Sequence, residues 1–217
     1  EFIGNGRYSD ITVFSFHPVK IVTTAEGGMA LTNSDELASR MNLLRSHGVT
    51  RDQNLMTREP DGPWYYQQVD LGFNYRMTEL QAALGVSQMD RLDTFVARRH
   101  ELAERYDRLL ADLPVTTPRQ HPDGYSGLHL YVIRLQLDNL GKSQRQVFES
   151  LRAQGIGVNL HYIPVHTQPY YQAMGFAAED FPEAMAYYHE AISLPMFQGL
   201  TDEQQDTVVE CLCRALS

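Results

Sequence analysis

The spacing of apolar residues predicts two strands and a helix in the first fifty residues. Residues 11–16 (ITVFSF) alternate β-branched or aromatic residues with smaller ones, and residues 28–32 (GMALT) follow a glycine; both segments are typical of short strands. An apolar pattern at helical spacing then follows residues 33–35, which are candidate N-caps. We expect this helix to end near Gly48, where glycine permits a left-handed cap.

Residues 49–70 show no sustained period and contain the segment PDGP, which predicts a long loop. Loops of this length are commonly functional or disordered. The aromatic residues Trp64, Tyr65 and Tyr66 favour an ordered loop, because large aromatic side chains need a surface to pack on.

A strongly helical pattern extends from residue 77 to about residue 113, with an apolar stripe under a charged face. One long helix or two joined helices would fit it. After Leu113–Pro114 a smaller α/β pattern begins, with strands predicted over 128–137 and 156–162 and helices over 143–154, 180–191 and 202–216. Ser143 is the predicted cap of the first of these helices, and Thr201 with Gln204 three residues later predicts a capping box at the start of the last.

Charge and hydropathy argue against two classes of partner. The 18 Lys and Arg and 27 Asp and Glu residues give a net charge of -9, and this field argues against broad nucleic-acid binding because it repels polyanions. No apolar run approaches the roughly 20 residues that span a bilayer, and no signal segment opens the chain. We expect a protein that is neither secreted nor embedded in a membrane.

Two other features concern the cell compartment and the start of the chain. Cys211 and Cys213 lie two positions apart, which suits a disulfide between them poorly, and two thiols in a chain of this size indicate a reducing, cytoplasmic setting. The chain begins EFIGNGRYSD, without methionine, and reaches a strand-like run almost at once. We therefore expect that an N-terminal part is missing.

Lys20 lies in an apolar context, in the stretch SFHPVKIVTTAEGGM over 15–29. A lysine in such a context either extends its charged end to water past an apolar stem, or is kept because its amine does chemistry. The local residues leave both interpretations open and by themselves favour the first.

Three separated segments decide between these interpretations. They are residues 15–29, residues 70–93 (DLGFNYRMTELQAALGVSQMDRLD) and residues 155–171 (GIGVNLHYIPVHTQPYY). In this order they resemble the DegT/DnrJ/EryC1/StrS sugar aminotransferases, and the resemblance covers essentially all of the chain but only the C-terminal portion of such an enzyme. The stretches HYIPVHTQPYY and WYYQQ most resemble the branch of the family that acts in pseudaminic acid synthesis.

The resemblance implies an α/β fold of the PLP-dependent transferase class, the aspartate aminotransferase type I fold. Residues 1–95 would form the C-terminal part of the cofactor-binding large domain with the start of the long helix, and residues 96–217 the small C-terminal α/β domain. The implied reaction is transamination at C4 of a UDP-linked 4-keto-6-deoxy amino sugar, with L-glutamate as donor and 2-oxoglutarate as its product. The implied assembly is a homodimer with shared active sites.

The resemblance also implies roles for three residues. Lys20 would hold pyridoxal 5'-phosphate as a Schiff base and carry a proton between substrate and cofactor. Ser15 matches the family's phosphate-binding serine; without the resemblance, the alternative is a serine at a strand end that bonds to the backbone. Asn74 matches the family's asparagine that reaches the cofactor phosphate of the neighbouring subunit. Without the resemblance, the local sequence also fits a turn or helix-start residue at this position.

Five further residues are candidate substrate contacts: Trp64, Arg76, His161, Tyr162 and His166. The indole of Trp64 could stack on the nucleotide base or pack on its own loop. The fork of Arg76 suits a diphosphate or a carboxylate, but a solvated helix-terminal arginine is nearly as common. The other three lie in the third segment and would face the sugar or phosphate groups, although single histidines are more often structural. No metal site is predicted, since the two histidines lack a third ligand of a standard pattern.

Two other functions stay open. A nucleotide-sugar dehydratase of the same family uses the same cofactor, but that branch replaces the lysine with histidine, so Lys20 counts against it. A non-catalytic, truncated dimerisation module is the other alternative. In the family, the acid facing the pyridine nitrogen and an aromatic residue stacked on the ring precede the lysine strand, so we predict poor activity for these residues alone.

Overall fold

The computed structural model describes all 217 residues as two compact units, Glu1–Leu92 and Asp93–Ser217. Both units mix helices with short antiparallel strands. None of the helices combines the length and the apolar character that a membrane span requires. The assignment of the two units to parts of a large and a small domain stays a prediction.

The first unit opens with a strand pair and a capped helix, as predicted. Strands β1 (Thr12–Ser15) and β2 (Gly28–Leu31) are antiparallel, with Ser15 opposite Gly28. Helix α1 (Asp35–Arg45) begins at Ser34, whose hydroxyl accepts the N–H of Leu37. It ends at Arg45, close to the predicted end, and the left-handed backbone that follows includes His47 as well as the predicted Gly48.

The predicted long loop is ordered and closed at its base. Strands β3 (Val49–Thr50) and β4 (Gln67–Gln68) pair antiparallel. Between them, the side-chain oxygen of Gln67 accepts the N–H of Thr57 at 2.7 Å, and Arg58 donates to both carboxylate oxygens of Asp61 at 3.1 Å. Two-residue strands are too short to show a period, which is why the sequence pattern did not reveal them.

Of the two options for residues 77–113, two helices are correct. Helix α2 (Glu79–Met89) begins with a capping box, in which the hydroxyl of Thr78 accepts the N–H of Gln81 and the side chain of Gln81 accepts the N–H of Thr78. Helix α3 (Leu92–Leu109) follows after a two-residue break.

The second unit packs helices on a three-stranded antiparallel sheet of order β5-β6-β7. Its strands are β5 (Val115–Thr116), β6 (Tyr131–Leu135) and β7 (Ala191–Leu194), and its later helices are α4 (Gln144–Ala153), α5 (Pro169–Gln172), α6 (Pro182–Glu190) and α7 (Asp202–Leu216). The core lies between the sheet and α3, α4 and α7. In it the rings of Tyr106 and Tyr131 stack with centroids 4.8 Å apart.

The caps that the sequence predicted for this unit are present. Ser143 and Thr201 each open a helix with a capping box, closed by Gln146 and Gln204. The ends of α4 and α7 lie within one residue of the predicted ends. Polar caps mark a helix start more sharply than apolar periodicity does.

The predicted strand over 156–162 is wrong. Only Asn159 forms a β-bridge, with Ser193, through bonds of 2.8 and 3.4 Å. The side-chain oxygen of Asn159 accepts the N–H of Leu160 at 2.8 Å, so a local bond replaces a continued ladder. Gly155, with φ of +81°, already turns the chain just before this segment.

Two other boundaries differ from the prediction in the same unit. The strand expected over 128–137 shortens to β6, because Leu128 takes a positive φ of +48°. The helix expected to residue 191 ends at Glu190, and β7 follows without a connecting loop. All four residues of β7 are buried, so the segment lacks the polar and apolar alternation that marks a half-buried strand.

Arg99 on α3 is a buried cation that holds three backbone carbonyls. It is 3% exposed, and its Nη1 donates to the carbonyl oxygens of Leu128, His129 and Met196 at 3.0–3.2 Å. No carboxylate lies within 4 Å of the guanidinium, and burial lowers the pKa of Arg99. The side chain thus ties the start of β6 and the end of β7 to the helix.

We predict that Arg99→Ala lowers the free energy of unfolding by about 3 kcal/mol, because the buried carbonyls of Leu128 and Met196 and the partly buried carbonyl of His129 lose their donor. Urea unfolding measures it. Arg145→Ala is the control, since Arg145 is exposed and pairs only with Glu149. Equal small effects of the two substitutions would contradict the structural role of Arg99.

Arg98 and Arg105 on α3 pair with acidic residues on α7. Arg98 Nη2 lies 2.9 Å from Asp202 Oδ1, and Arg105 Nη2 lies 2.7 Å from Asp206 Oδ1. The hydrogen bond from Arg98 is the main reason that the pKa of Asp202 is lowered.

This lowered pKa sets a direction for the pH dependence of stability. A carboxylate with a depressed pKa in the folded state contributes stability above its unfolded pKa and loses that contribution as pH falls through the folded pKa. We predict that Asp202→Asn lowers the urea concentration at the unfolding midpoint at pH 7. The decrease of this midpoint between pH 7 and about pH 2 should be smaller in the variant than in the wild type. If the urea midpoint of the variant depends on pH as that of the wild type does, the Arg98–Asp202 pair does not contribute to the pH dependence of stability.

Candidate functional site

The connection between β1 and β2, residues 16–27, carries Lys20 and is closed by the backbone of Phe16. The Phe16 N–H donates to the carbonyl of Gly27 at 2.8 Å, and the Phe16 carbonyl accepts the N–H of Thr24 and the hydroxyl of Thr23, both at 3.0 Å. Lys20 is half-buried, and its N–H donates to the carbonyl of His17 at 2.9 Å. The lysine therefore lies on a defined turn.

Thr24 fixes the second half of this connection against helix α2. Thr24 is 1% exposed, and its hydroxyl donates to the carbonyl of Glu26 at 2.8 Å. Its methyl group lies only 2.8 Å from the position that a Cβ at Gly85 would occupy. Helix α2 thus packs on the lysine connection at a point where only glycine fits without displacement.

A hydroxyl and an imidazole–carboxylate pair share this connection with Lys20. Ser15 is exposed at the end of β1, and its oxygen accepts a long bond of 3.4 Å from the His17 N–H. This arrangement leaves the hydroxyl hydrogen of Ser15 for a ligand. His17 Nδ1 lies 3.2 Å from Glu26 Oε2, which orients the imidazole across the connection.

Asn74 and Arg76 lie together on the segment that precedes α2. Asn74 forms a β-bridge with Ser46, and Tyr75 donates its N–H to the carbonyl of Arg45 at 3.0 Å. Both Nε and Nη2 of Arg76 donate to Asn74 Oδ1, at 3.1 and 2.8 Å. Both side chains are exposed.

Trp64 lies on the closed loop with one face packed and most of its surface free. It is 71% exposed. A Cβ at Gly62 would come within 2.7 Å of the indole, so the absence of a side chain there lets the ring approach the backbone. An open groove of about 520 Å³ lies on the same loop, lined by residues 57–58 and 65–69.

In the second unit the predicted residues of the third segment fall into two separate surroundings. His161 Nδ1 lies 3.2 Å from the hydroxyl of Tyr187, whose pKa is raised by burial, while Tyr162 is exposed. His166 packs on Phe181 with ring centroids 4.7 Å apart, and its Nε2 is buried without a hydrogen-bond partner. No group of three or more His, Cys, Asp or Glu side chains is arranged to hold a metal ion.

Sequence reasoning missed three residues that support these sites: Thr24, Gly85 and Tyr187. Thr24 and Gly85 meet through packing between a turn and a helix 61 positions later, and Tyr187 approaches His161 across 26 positions. Their residue types were visible, but no local pattern marks which distant side chains come together.

Comparison with known proteins identifies the family. The model of the DegT/DnrJ/EryC1/StrS aminotransferase family matches residues 4–213. Among curated relatives, the spore coat polysaccharide biosynthesis protein SpsC of Bacillus subtilis is 38% identical over 95% of this chain and 54% of its own length. The UDP-4-amino-4,6-dideoxy-N-acetyl-beta-L-altrosamine transaminase of Helicobacter pylori is 34% identical over 96% of this chain and 53% of its own length.

A solved structure supports the fold. Spr1654 from Streptococcus pneumoniae, in its PMP form, superposes with a TM-score of 0.86 at 31% identity, over 97% of this chain and 54% of that one. The predicted resemblance to the family is therefore confirmed. The chain spans about half the length of the curated relatives it matches.

We predict that Gly85→Val destabilises the protein by about 2 kcal/mol, because the new side chain collides with the buried methyl group of Thr24. Thermal or urea unfolding measures the change. Ala83→Val is the matched control, because Ala83 is exposed on the same helix and should cost no more than about 0.5 kcal/mol. Equal costs at the two positions would mean that the contact between α2 and the lysine connection is not tight.

Proposed function

The chain belongs to the DegT/DnrJ/EryC1/StrS aminotransferase family, and on that premise we propose that it carries the reactive lysine of a pyridoxal-phosphate-dependent nucleotide-sugar aminotransferase. The proposed reaction installs an amine at C4 of a UDP-linked 4-keto-6-deoxy amino sugar, with L-glutamate as donor. The observation that carries the proposal is the half-buried Lys20 on the connection closed by Phe16, five residues after Ser15, whose hydroxyl lies at the end of β1.

The residues present fit this cofactor by the chemistry of their donors. An aldehyde requires a primary amine, which Lys20 supplies. A phosphate group requires N–H and O–H donors, which the Ser15 hydroxyl and the Asn74 amide supply without adding charge. The PMP form of Spr1654 supports the same cofactor for this chain.

Lys20 has two proposed roles in the reaction. When bound, pyridoxal phosphate supplies a ring that accepts the electron pair released at the reacting carbon. The Lys20 amine would hold the cofactor by condensing with its aldehyde carbon, with loss of water. Once free again, the same amine would act as the base and acid that moves a proton between the donor carbon and the cofactor carbon.

Ser15 and Asn74 hold the phosphate in this proposal, with Asn74 supplied by a second copy of the chain. A homodimer with shared sites follows from that arrangement. Fixing the phosphate keeps the reacting carbon near Lys20 throughout both half-reactions, which gives catalysis by proximity.

The remaining candidates are proposed substrate contacts. The free face of Trp64 offers a surface for the nucleotide base, and the three uncommitted N–H groups of Arg76 suit a diphosphate. His161, Tyr162 and His166 are proposed to meet the sugar. The free thiols Cys211 and Cys213 support a reducing, cytoplasmic compartment.

A dimerisation module without catalysis is the second candidate, and the half-length match to relatives favours keeping it. A dehydratase is disfavoured, since Lys20 occupies the position that histidine takes in that branch. Binding of pyridoxal phosphate separates the dimerisation module from the aminotransferase, because a module would self-associate without binding the cofactor.

We predict that the protein loaded with pyridoxal phosphate releases up to one 2-oxoglutarate per bound cofactor on addition of L-glutamate, slowly for residues 1–217 alone, and that Lys20→Ala slows this step further, by about 10³-fold. Lys142→Ala is the matched control, since Lys142 is the other lysine of the chain and bonds the carbonyl of Ala215. Coupled assay of 2-oxoglutarate and the cofactor absorbance follow the step.

A panel of UDP-linked and dTDP-linked 4-keto sugars then tests the acceptor. We expect the amino form of the cofactor to be consumed fastest by the UDP-linked 4-keto-6-deoxy amino sugar. Unchanged turnover in the Lys20→Ala variant, or loss of turnover in Lys142→Ala, would contradict the proposed role of Lys20.

A further inference from the structure

We propose that Arg76 is a positioning residue, which fixes the orientation of the Asn74 amide so that its NH₂ group faces the phosphate. This inference rests on the proposed function, in which Asn74 is a phosphate ligand. It gives Arg76 a role that acts through Asn74, in addition to any contact that its remaining N–H groups make.

The donor chemistry of Arg76 decides which way the amide points. An asparagine amide has an acceptor oxygen on one side and two N–H donors on the other. A guanidinium carries donors only, so the atom that meets both Nε and Nη2 of Arg76, at 3.1 and 2.8 Å, is the Asn74 oxygen. The NH₂ group of Asn74 is therefore turned to the opposite side.

The backbone holds both side chains in register for this contact. The N–H groups of Phe73 and Tyr75 donate to the carbonyls of Leu44 and Arg45, at 2.7 and 3.0 Å. These carbonyls belong to the last turn of α1, where helical partners are lacking. In such an extended segment alternate residues share a side, so Asn74 and Arg76 lie together, while the rings of Phe73 and Tyr75 stack at 4.8 Å.

An amide without this lock would recognise phosphate poorly. Rotation by half a turn would present the Asn74 oxygen, an acceptor, to the acceptor oxygens of a phosphate. Arg76 opposes that rotation because its N–H groups would then face the amide NH₂. No carboxylate lies within 4 Å of Arg76, so its charge remains to polarise the Asn74 oxygen and strengthen the N–H donors.

A double-mutant cycle with two probes tests the proposal on the purified protein. Dissociation constants for pyridoxal phosphate and for pyridoxal, which lacks the phosphate, are measured by absorbance for the wild type, Asn74→Ala, Arg76→Met and the double variant. Arg76→Lys keeps the charge but loses the fork, and Arg51→Met removes an exposed arginine of the same unit as a control for net charge.

We expect Arg76→Met to weaken binding of pyridoxal phosphate about tenfold, the scale of one charge-assisted hydrogen bond, and to leave pyridoxal binding unchanged. In the Asn74→Ala background the same substitution should change the affinity less than about twofold, because no amide is left to orient. Arg76→Lys should recover part of the loss, and Arg51→Met should have no effect.

Three results would overturn the proposal. Equal effects of Arg76→Met in both backgrounds would show that Arg76 acts directly on the ligand. An equal loss of pyridoxal affinity would show a general structural effect. Unchanged phosphate affinity in Asn74→Ala would remove Asn74 from the phosphate site, and Arg76 with it. Loss of pyridoxal phosphate binding in Lys20→Ala, measured alongside, shows whether the proposed function stands independently of this pair.

Discussion

The hydrogen bonds at the backbone of Phe16 are the constraint on which the candidate site depends. The N–H of Phe16 donates to the carbonyl of Gly27, and its carbonyl accepts hydrogen bonds from Thr23 and Thr24. These bonds join the first residue of the twelve-residue connection to its second half. This closure gives the backbone of Lys20 a defined position. The buried Thr24 then fits against Gly85, which links the connection to α2.

Backbone hydrogen bonds have a similar effect in the segment before α2, where they satisfy the end of α1 and also orient side chains. The last carbonyls of α1 need donors, and the N–H groups of residues 73 and 75 supply them. The resulting extended segment places Asn74 beside Arg76. In the second unit, Arg99 satisfies three carbonyls at the ends of β6 and β7 in a comparable way. In each case a backbone group that needs a partner determines where a side chain lies.

The sequence predicted the elements that local chemistry marks, and missed those that tertiary contacts create. Caps such as Ser143 and Thr201 located α4 and α7, and alternation located β1 and β2. The fully buried β7 and the two-residue strands β3 and β4 carry no such signal, and Asn159 ends a segment that looked like a strand. For the site, Lys20 and Asn74 were found through resemblance to the family. The contacts of Thr24 with Gly85 and of Arg76 with Asn74 depend on which residues meet in space.

The central claim is that the amine of Lys20, and no other amine of the chain, reacts with the aldehyde of pyridoxal phosphate. Because the chain has two lysines, Lys20 and Lys142, the claim reduces to a choice that peptide mapping can make. The protein is incubated with pyridoxal phosphate, reduced with borohydride, digested and examined by mass spectrometry. The account predicts one stoichiometric label, on the peptide that contains Lys20. A label on Lys142 or on the N-terminal amine, or none on Lys20, would contradict it.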